Sequence, residues 1–166
     1  MTAQHIINNI EFARKFHQIH DTIIDSHLLN LKEMLAVEGN LIDWRLTGGV
    51  TVAGKPSLQL QVTGLLTLTC QRCLESMPVS LDIDTTFVLV PDELSVPSDE
   101  DNSDDQEYLV ADDKMSVIDL LQDEILLALP LAPKHDAVDC LAKGKAYESK
   151  KVNPFEALKA LKVNKS

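Results

Sequence analysis

Leu58-Gln59-Leu60-Gln61-Val62-Thr63-Gly64-Leu65-Leu66-Thr67-Leu68-Thr69-Cys70-Gln71-Arg72-Cys73 carries the pattern on which the fold turns. Leu58, Leu60 and Val62 alternate with Gln59, Gln61 and Thr63, and Leu66 and Leu68 resume the alternation up to Cys70. Successive side chains leave a strand on opposite sides, so period two marks a strand with one buried face. The spacing predicts one long strand, with a bulge at Gly64, since a glycine inside a strand permits a bend. The two thiols at Cys70 and Cys73 then suit a turn that aims both sulfurs at one point.

Working outward, Ile42, Trp44 and Leu46 alternate with Asp43, Arg45 and Thr47, giving a strand that continues through Val50 and Val52 to a turn at Gly54-Lys55-Pro56. Downstream, Val79, Leu81 and Ile83 alternate with polar residues, and residues 87–90 complete a third strand. Three consecutive strands joined by short turns favour an antiparallel meander.

The flanks read as helices. Asn8 or Asn9 can cap a first helix to about His17, with Ile10, Ala13 and Phe16 on one face. Residues 19–24 read as a short extended piece. Asp25 or Ser26 can cap a second helix carrying Leu28, Leu31, Met34 and Leu35, ended by Gly39-Asn40. After a solvated, mobile acidic loop over residues 91–106, residues 107–111 fit one more short strand. Ser116 can cap a third helix bearing Val117, Leu121 and Ile125, which Pro130 stops after Leu129, with Asp119, Asp123 and Glu124 on its polar side. Asn153-Pro154 starts a short last helix to about Lys162. The expected fold is α+β: an antiparallel β-meander, barrel-like in its curl, packed by a long helix, with N-terminal helices and a short C-terminal helix. Residues 1–133 form the domain, and residues 134–166 a lysine-rich tail.

Among 166 residues, 45% are hydrophobic, enough for a real core. No apolar run approaches the ~20 residues of a membrane span, and the opening residues do not read as a secretory signal. Three cysteines cannot all pair internally, which suits a reducing compartment, so the expected location is the cytoplasm. The net charge of -11 is uneven: residues 92–113 hold ten acids and no base, whereas residues 134–166 hold eight lysines against four acids. A body this acidic repels phosphates, so tight RNA binding by it is disfavoured and a basic protein partner fits better. The tail lysines, among them Lys143, Lys145, Lys150 and Lys151, leave direct RNA binding as the alternative.

Cys70, Cys73, His135 and Cys140 can make a Cys3His zinc site, structural because four protein ligands leave no position for substrate. Reduced cysteines also pack as small apolar groups. Either way, the turn at Cys70 and Cys73 is expected beside residues 130–140. A thioredoxin-like role needs the first cysteine at a helix N-terminus, and this pair lies between strands. No nucleophile–base pair is visible, so no enzymatic activity and no small-molecule substrate are expected. His5, His17, His20 and His27 share no ligand spacing.

Leu68-Thr69-Cys70-Gln71-Arg72-Cys73, residues 123–133 with His135 and Cys140, and Asn153-Pro154-Phe155-Glu156-Ala157-Leu158 together resemble the bacterial YceD family, the large ribosomal RNA subunit accumulation proteins. The resemblance runs from Cys70 to the C-terminus. It implies a part in the synthesis, processing or stability of large-subunit ribosomal RNA. With the charge pattern, it points to a basic ribosomal or assembly protein as partner, with ribosomal RNA engaged indirectly. The interaction surface then comprises Arg72, Asp123, Glu124, Pro130, Pro133, Asn153, Pro154 and Phe155.

Overall fold

The computed structural model describes residues 5–97, 107–136 and 140. Its main sheet is built on the alternating segments. Strands β4 (Leu41–Val50), β5 (Pro56–Thr69) and β6 (Ser76–Val90) follow one another as an antiparallel meander, flanked by β2 (Gln18–Ile24) beside β4 and β7 (Glu107–Val110) beside β6. A short β3 (Leu35–Val37) pairs with the distal part of β5. Separately, β1 (Ile6–Ile7) pairs with β8 (Met115–Ser116). The fold is thus α+β, but the sheet is open rather than barrel-closed: β2 and β7 stand at its two ends.

β7 runs parallel to β6, a departure from a purely antiparallel meander. The connection over residues 91–106 exceeds the dozen or so residues that a parallel return requires, so the acidic stretch serves as the crossover. The part at residues 98–106 lies outside the described residues; Glu93–Ser95 makes a 3-10 turn capped by Asp92.

Two helices cover one face. Helix α1 (Asn9–Arg14) is capped by the Asn8 side chain, which accepts from the Glu11 N–H at 2.9 Å. It is shorter than its sequence pattern, because Phe16 turns into the left-handed region at φ 54° and leads into β2. Phe12 and Ala13 are therefore its buried apolar residues, and Phe16 faces solvent. The twelve-residue α2 (Val117–Ala128) is capped by Ser116, whose hydroxyl accepts from the Asp119 N–H, and ends where Leu129 becomes extended ahead of Pro130. Val117, Leu121 and Ile125 reach the same core as Trp44, Leu60 and Ile83. No helix of the described residues is long and apolar enough to cross a membrane.

The second predicted helix is absent. Asp25 is fully buried, and its carboxylate accepts from the Gly39 N–H at 2.7 Å, the Asn40 N–H at 3.2 Å and the Asn40 side-chain amide at 2.7 Å. It closes a loop instead of capping a helix. Two 3-10 turns, Asp25–His27 and Leu29–Leu31, place Leu28 and Leu31 in the core. In a 3-10 turn residues three apart eclipse one another, so the same spacing that suggests an α-helix is satisfied without one.

The bulge expected at Gly64 is also absent: the register with β6 runs unshifted through Gly64↔Leu81, and Ile42↔Gly64 is the last pair of the equally regular ladder with β4. The glycine serves close approach: a Cβ there would lie 3.1 Å from the Leu41 carbonyl oxygen and 3.3 Å from Ile42 Cα.

Glu124 does not lie on the solvent side of α2. It sits seven residues after Val117, two helical turns on, and is only 7% exposed, with its Oε2 accepting from the Thr85 hydroxyl at 2.8 Å. Burial pushes its carboxyl up, the Thr85 hydroxyl pulls it down, and the charges of Glu107 and Asp123 push it further up. An acid raised on folding holds its proton more tightly in the folded state. Its stabilising contribution is therefore present at low pH and declines as pH rises from the ordinary carboxylate range to the raised value. Glu124→Gln keeps an acceptor for Thr85 without the charge. At pH 7 its melting temperature is expected to exceed the parent's by about 2 °C, with the difference gone near about pH 3.5. A variant that melts lower at pH 7 would contradict this assignment.

Candidate metal centre

The β5–β6 hairpin is closed by residues 70–75. The Cys70 N–H donates to the Glu75 carbonyl at 2.9 Å, the Leu74 N–H donates to the Cys70 carbonyl at 2.9 Å, and Leu74 takes the left-handed conformation at φ 61°. The segment leaving α2 is pinned against this turn by the Gln71 N–H, which donates to the Pro133 carbonyl at 2.8 Å. Arg72 reaches across to donate to the His135 carbonyl at 3.1 Å and that of Asp136 at 3.5 Å. The turn thus lies beside residues 130–136 and Cys140, as expected, held by one main-chain hydrogen bond and by the Arg72 guanidinium.

Within that frame one donor atom each from Cys70, Cys73, His135 and Cys140 lies within 4.8 Å of all the others. Cys70 Sγ and Cys140 Sγ are 3.6 Å apart, and His135 Nδ1 is 3.3 Å from Cys73 Sγ and 3.7 Å from Cys140 Sγ. In a tetrahedral site with bonds of ~2.3 Å to sulfur and ~2.0 Å to nitrogen, neighbouring sulfurs lie about 3.8 Å apart and a sulfur and a nitrogen about 3.5 Å apart. The cluster could therefore hold a metal ion with little movement.

The imidazole is oriented for this. Its Nε2 lies 3.2 Å from the Ser76 carbonyl oxygen, an acceptor only, so Nε2 carries the proton and Nδ1 presents its lone pair to the sulfurs. A backbone carbonyl holding the distal N–H is the usual support of a ligating histidine.

The thiols differ in charge preference. Burial pushes Cys70 up, but backbone N–H groups of Cys73, Arg72 and His135, with the Cys73 thiol, outweigh it and bring Cys70 to about 5. For Cys73 the Glu75 backbone pulls down, while burial and the sulfurs of Cys70 and Cys140 push it up beyond the ordinary thiol value. Arg72 is held more firmly cationic, first by its interaction with Cys140. One preformed thiolate, a second thiol reluctant to ionise without a cation, and a fixed guanidinium nearby match the charge that a thiolate-rich metal site develops.

The match to a family model decides the relationship: residues 58–162 fit the model of the Large ribosomal RNA subunit accumulation protein YceD. The chain belongs to the YceD family. The YceD match begins in β5, takes in all four donors and α2, and leaves β1 to β4 outside. No solved structure matches the chain.

Of the other residues singled out in the sequence, Arg72, Asp123 and Pro130 are exposed, whereas Pro133 is buried beneath the turn. Asn153, Pro154 and Phe155 lie outside the described residues. The groups that sequence reading missed are backbone ones: the Ser76 and Pro133 carbonyls and the Gln71 N–H. Side-chain identity carries no signal for them.

Proposed function

We propose that this protein is a non-catalytic factor of the cytoplasm that supports accumulation of large-subunit ribosomal RNA, by binding a basic ribosomal or assembly protein rather than by acting on RNA. Family membership supports the pathway. The observation that carries the mode is charge: a body of net charge -15 over residues 1–133 attracts a cationic protein and repels phosphate. The four-donor cluster takes zinc as a structural ion in this reading. Zinc would cross-link the hairpin turn to the segment after α2 and leave no open coordination position.

Capture on the purified full-length protein at moderate salt tests the reading. Ribosomal or assembly proteins are expected to remain bound after nuclease treatment of the lysate. Loss of all of them with the nuclease would instead favour direct RNA binding through the lysines of residues 134–166, and that binding would then weaken steeply with salt.

A further inference from the structure

The face of the main sheet opposite the helices is uncovered by any described element. Strand register lays out its composition row by row. Gln18, Thr47, Gln59 and Thr86 form one row; His20, Arg45, Gln61 and Asp84 the next; Thr22, Asp43, Thr63 and Asp82 a third. Beyond them the exposed Ile24, Leu41 and Leu65 make an apolar strip. Around the two charged rows the face forms an open hollow of about 620 Å³.

We infer that this face docks an extended, lysine- or arginine-rich segment of a partner protein, its cationic side chains reaching Asp43, Asp82 and Asp84 and an apolar residue meeting the Ile24–Leu41–Leu65 strip. The inference rests on the reading that the partner is a basic protein, and assigns the surface that takes it.

Three observations select this occupant. Asp82 has no hydrogen-bond or ion-pair partner among the described residues, and Asp43 is engaged through one oxygen, by the Thr22 hydroxyl at 2.5 Å. Asp84 accepts from Gln59 at 2.7 Å and Gln61 at 3.0 Å, neutral donors that hold its carboxyl below the usual carboxylate range. The face therefore presents carboxylates that no described ion pair neutralises, Asp43 and Asp84 held by neutral donors and Asp82 left open. Asp82 and Asp84 are two residues apart on one strand, about 6.7 Å, which is also the repeat of same-side residues in an extended peptide. Alternate lysines or arginines would meet them in register. RNA is disfavoured because its phosphates would face these carboxylates, and a second copy because each brings the same net charge of -11. Arg45 stands among the acids without an acidic partner in the described residues, and sets a limit on how much cationic charge the face accepts.

A labelled synthetic peptide of alternating lysine and valine, titrated into the full-length protein, provides the test. Asp82→Asn with Asp84→Asn is expected to weaken binding about tenfold. Asp92→Asn with Glu93→Gln, an equal change in charge away from this face, should weaken it less than about twofold. Arg45→Ala should tighten it. Equal losses from the two double variants would overturn the assignment. So would peptide-induced amide shifts confined to other elements, an RNA oligonucleotide or a second copy engaging the same face, or carbodiimide cross-links from Asp82 or Asp84 to a lysine of residues 141–166 in the monomer. In the nuclease-treated capture, a basic protein recovered equally by the parent and by Asp82→Asn with Asp84→Asn would remove this surface and leave the partner reading intact. A peptide bound here with no basic protein captured would do the reverse.

Discussion

Cys70→Ser is expected to abolish stoichiometric zinc binding and to remove the response of the protein to chelators. Cys70 is the fully buried member of the cluster, and the thiolate that the hairpin turn already favours. Losing one of four ligands is expected to cost about 100-fold or more in affinity, because even supporting residues around such sites cost 10–100-fold. The parent, purified reduced, should carry about one zinc per chain and melt several degrees lower after chelation. The variant should carry almost none and melt at one temperature with or without chelator. If the four side chains only pack together, chelation will leave the parent unchanged, and that result would remove zinc. Acid should release the metal, since protons compete for Cys73, the thiol raised above its ordinary value, before they compete for Cys70. Without metal the two thiols act in opposite senses. Cys70, lowered from 9.0 to about 5 on folding, contributes stability that is present above pH 9 and lost as pH falls through about 5. Cys73, raised on folding, contributes stability that is present below the ordinary thiol value and lost as pH rises through its raised one.

Gly48→Ala should be the most damaging single-methyl change in the sheet. Helix α1 lies directly on β4 at this point, and a Cβ on residue 48 would sit 2.8 Å from Ala13 Cα and 2.9 Å from the Phe12 carbonyl carbon. Both are backbone atoms, so relief requires the helix to move as a unit. The expected loss is about 3 kcal/mol by urea unfolding. Gly49→Ala is the control, because its Cβ would meet only the Ser57 hydroxyl at 3.6 Å, and its effect should stay within about 0.5 kcal/mol. Similar losses at the two positions would mean that the helix–strand approach is not what residue 48 protects.

Family membership and geometry bear on different parts of the chain. The YceD match covers the hairpin, the four donors and α2, whereas the four charged positions at the centre of the open face are divided by it: Asp82 and Asp84 fall inside, and Asp43 and Arg45 outside. The cluster thus belongs wholly to the matched region, and the proposed docking face is built jointly by that region and by β2 and β4.

Local pattern was sufficient wherever a segment buries one face and the neighbouring chain decides nothing else. The alternation at Ile42, Trp44 and Leu46 and at Leu58, Leu60 and Val62, the Ser116 cap and the stop at Pro130 all lead to the observed elements, because each reports a contact within a few residues. The pairing of Cys70 and Cys73 with His135 and Cys140 was legible too, since few residues in the chain can ligate a soft metal. Other features depend on partners distant in sequence. Asp25 closes the Gly39–Asn40 loop instead of capping a helix, and Gly64 admits Leu41 rather than making a bulge. β7 turns parallel because of where the crossover returns it, and Glu124 lies inward because α2 rests on Thr85. A periodic sequence states which residues seek burial. Only the packed structure decides which strand, helix or carbonyl each one meets, because those contacts form between segments whose separation along the chain leaves no local signature.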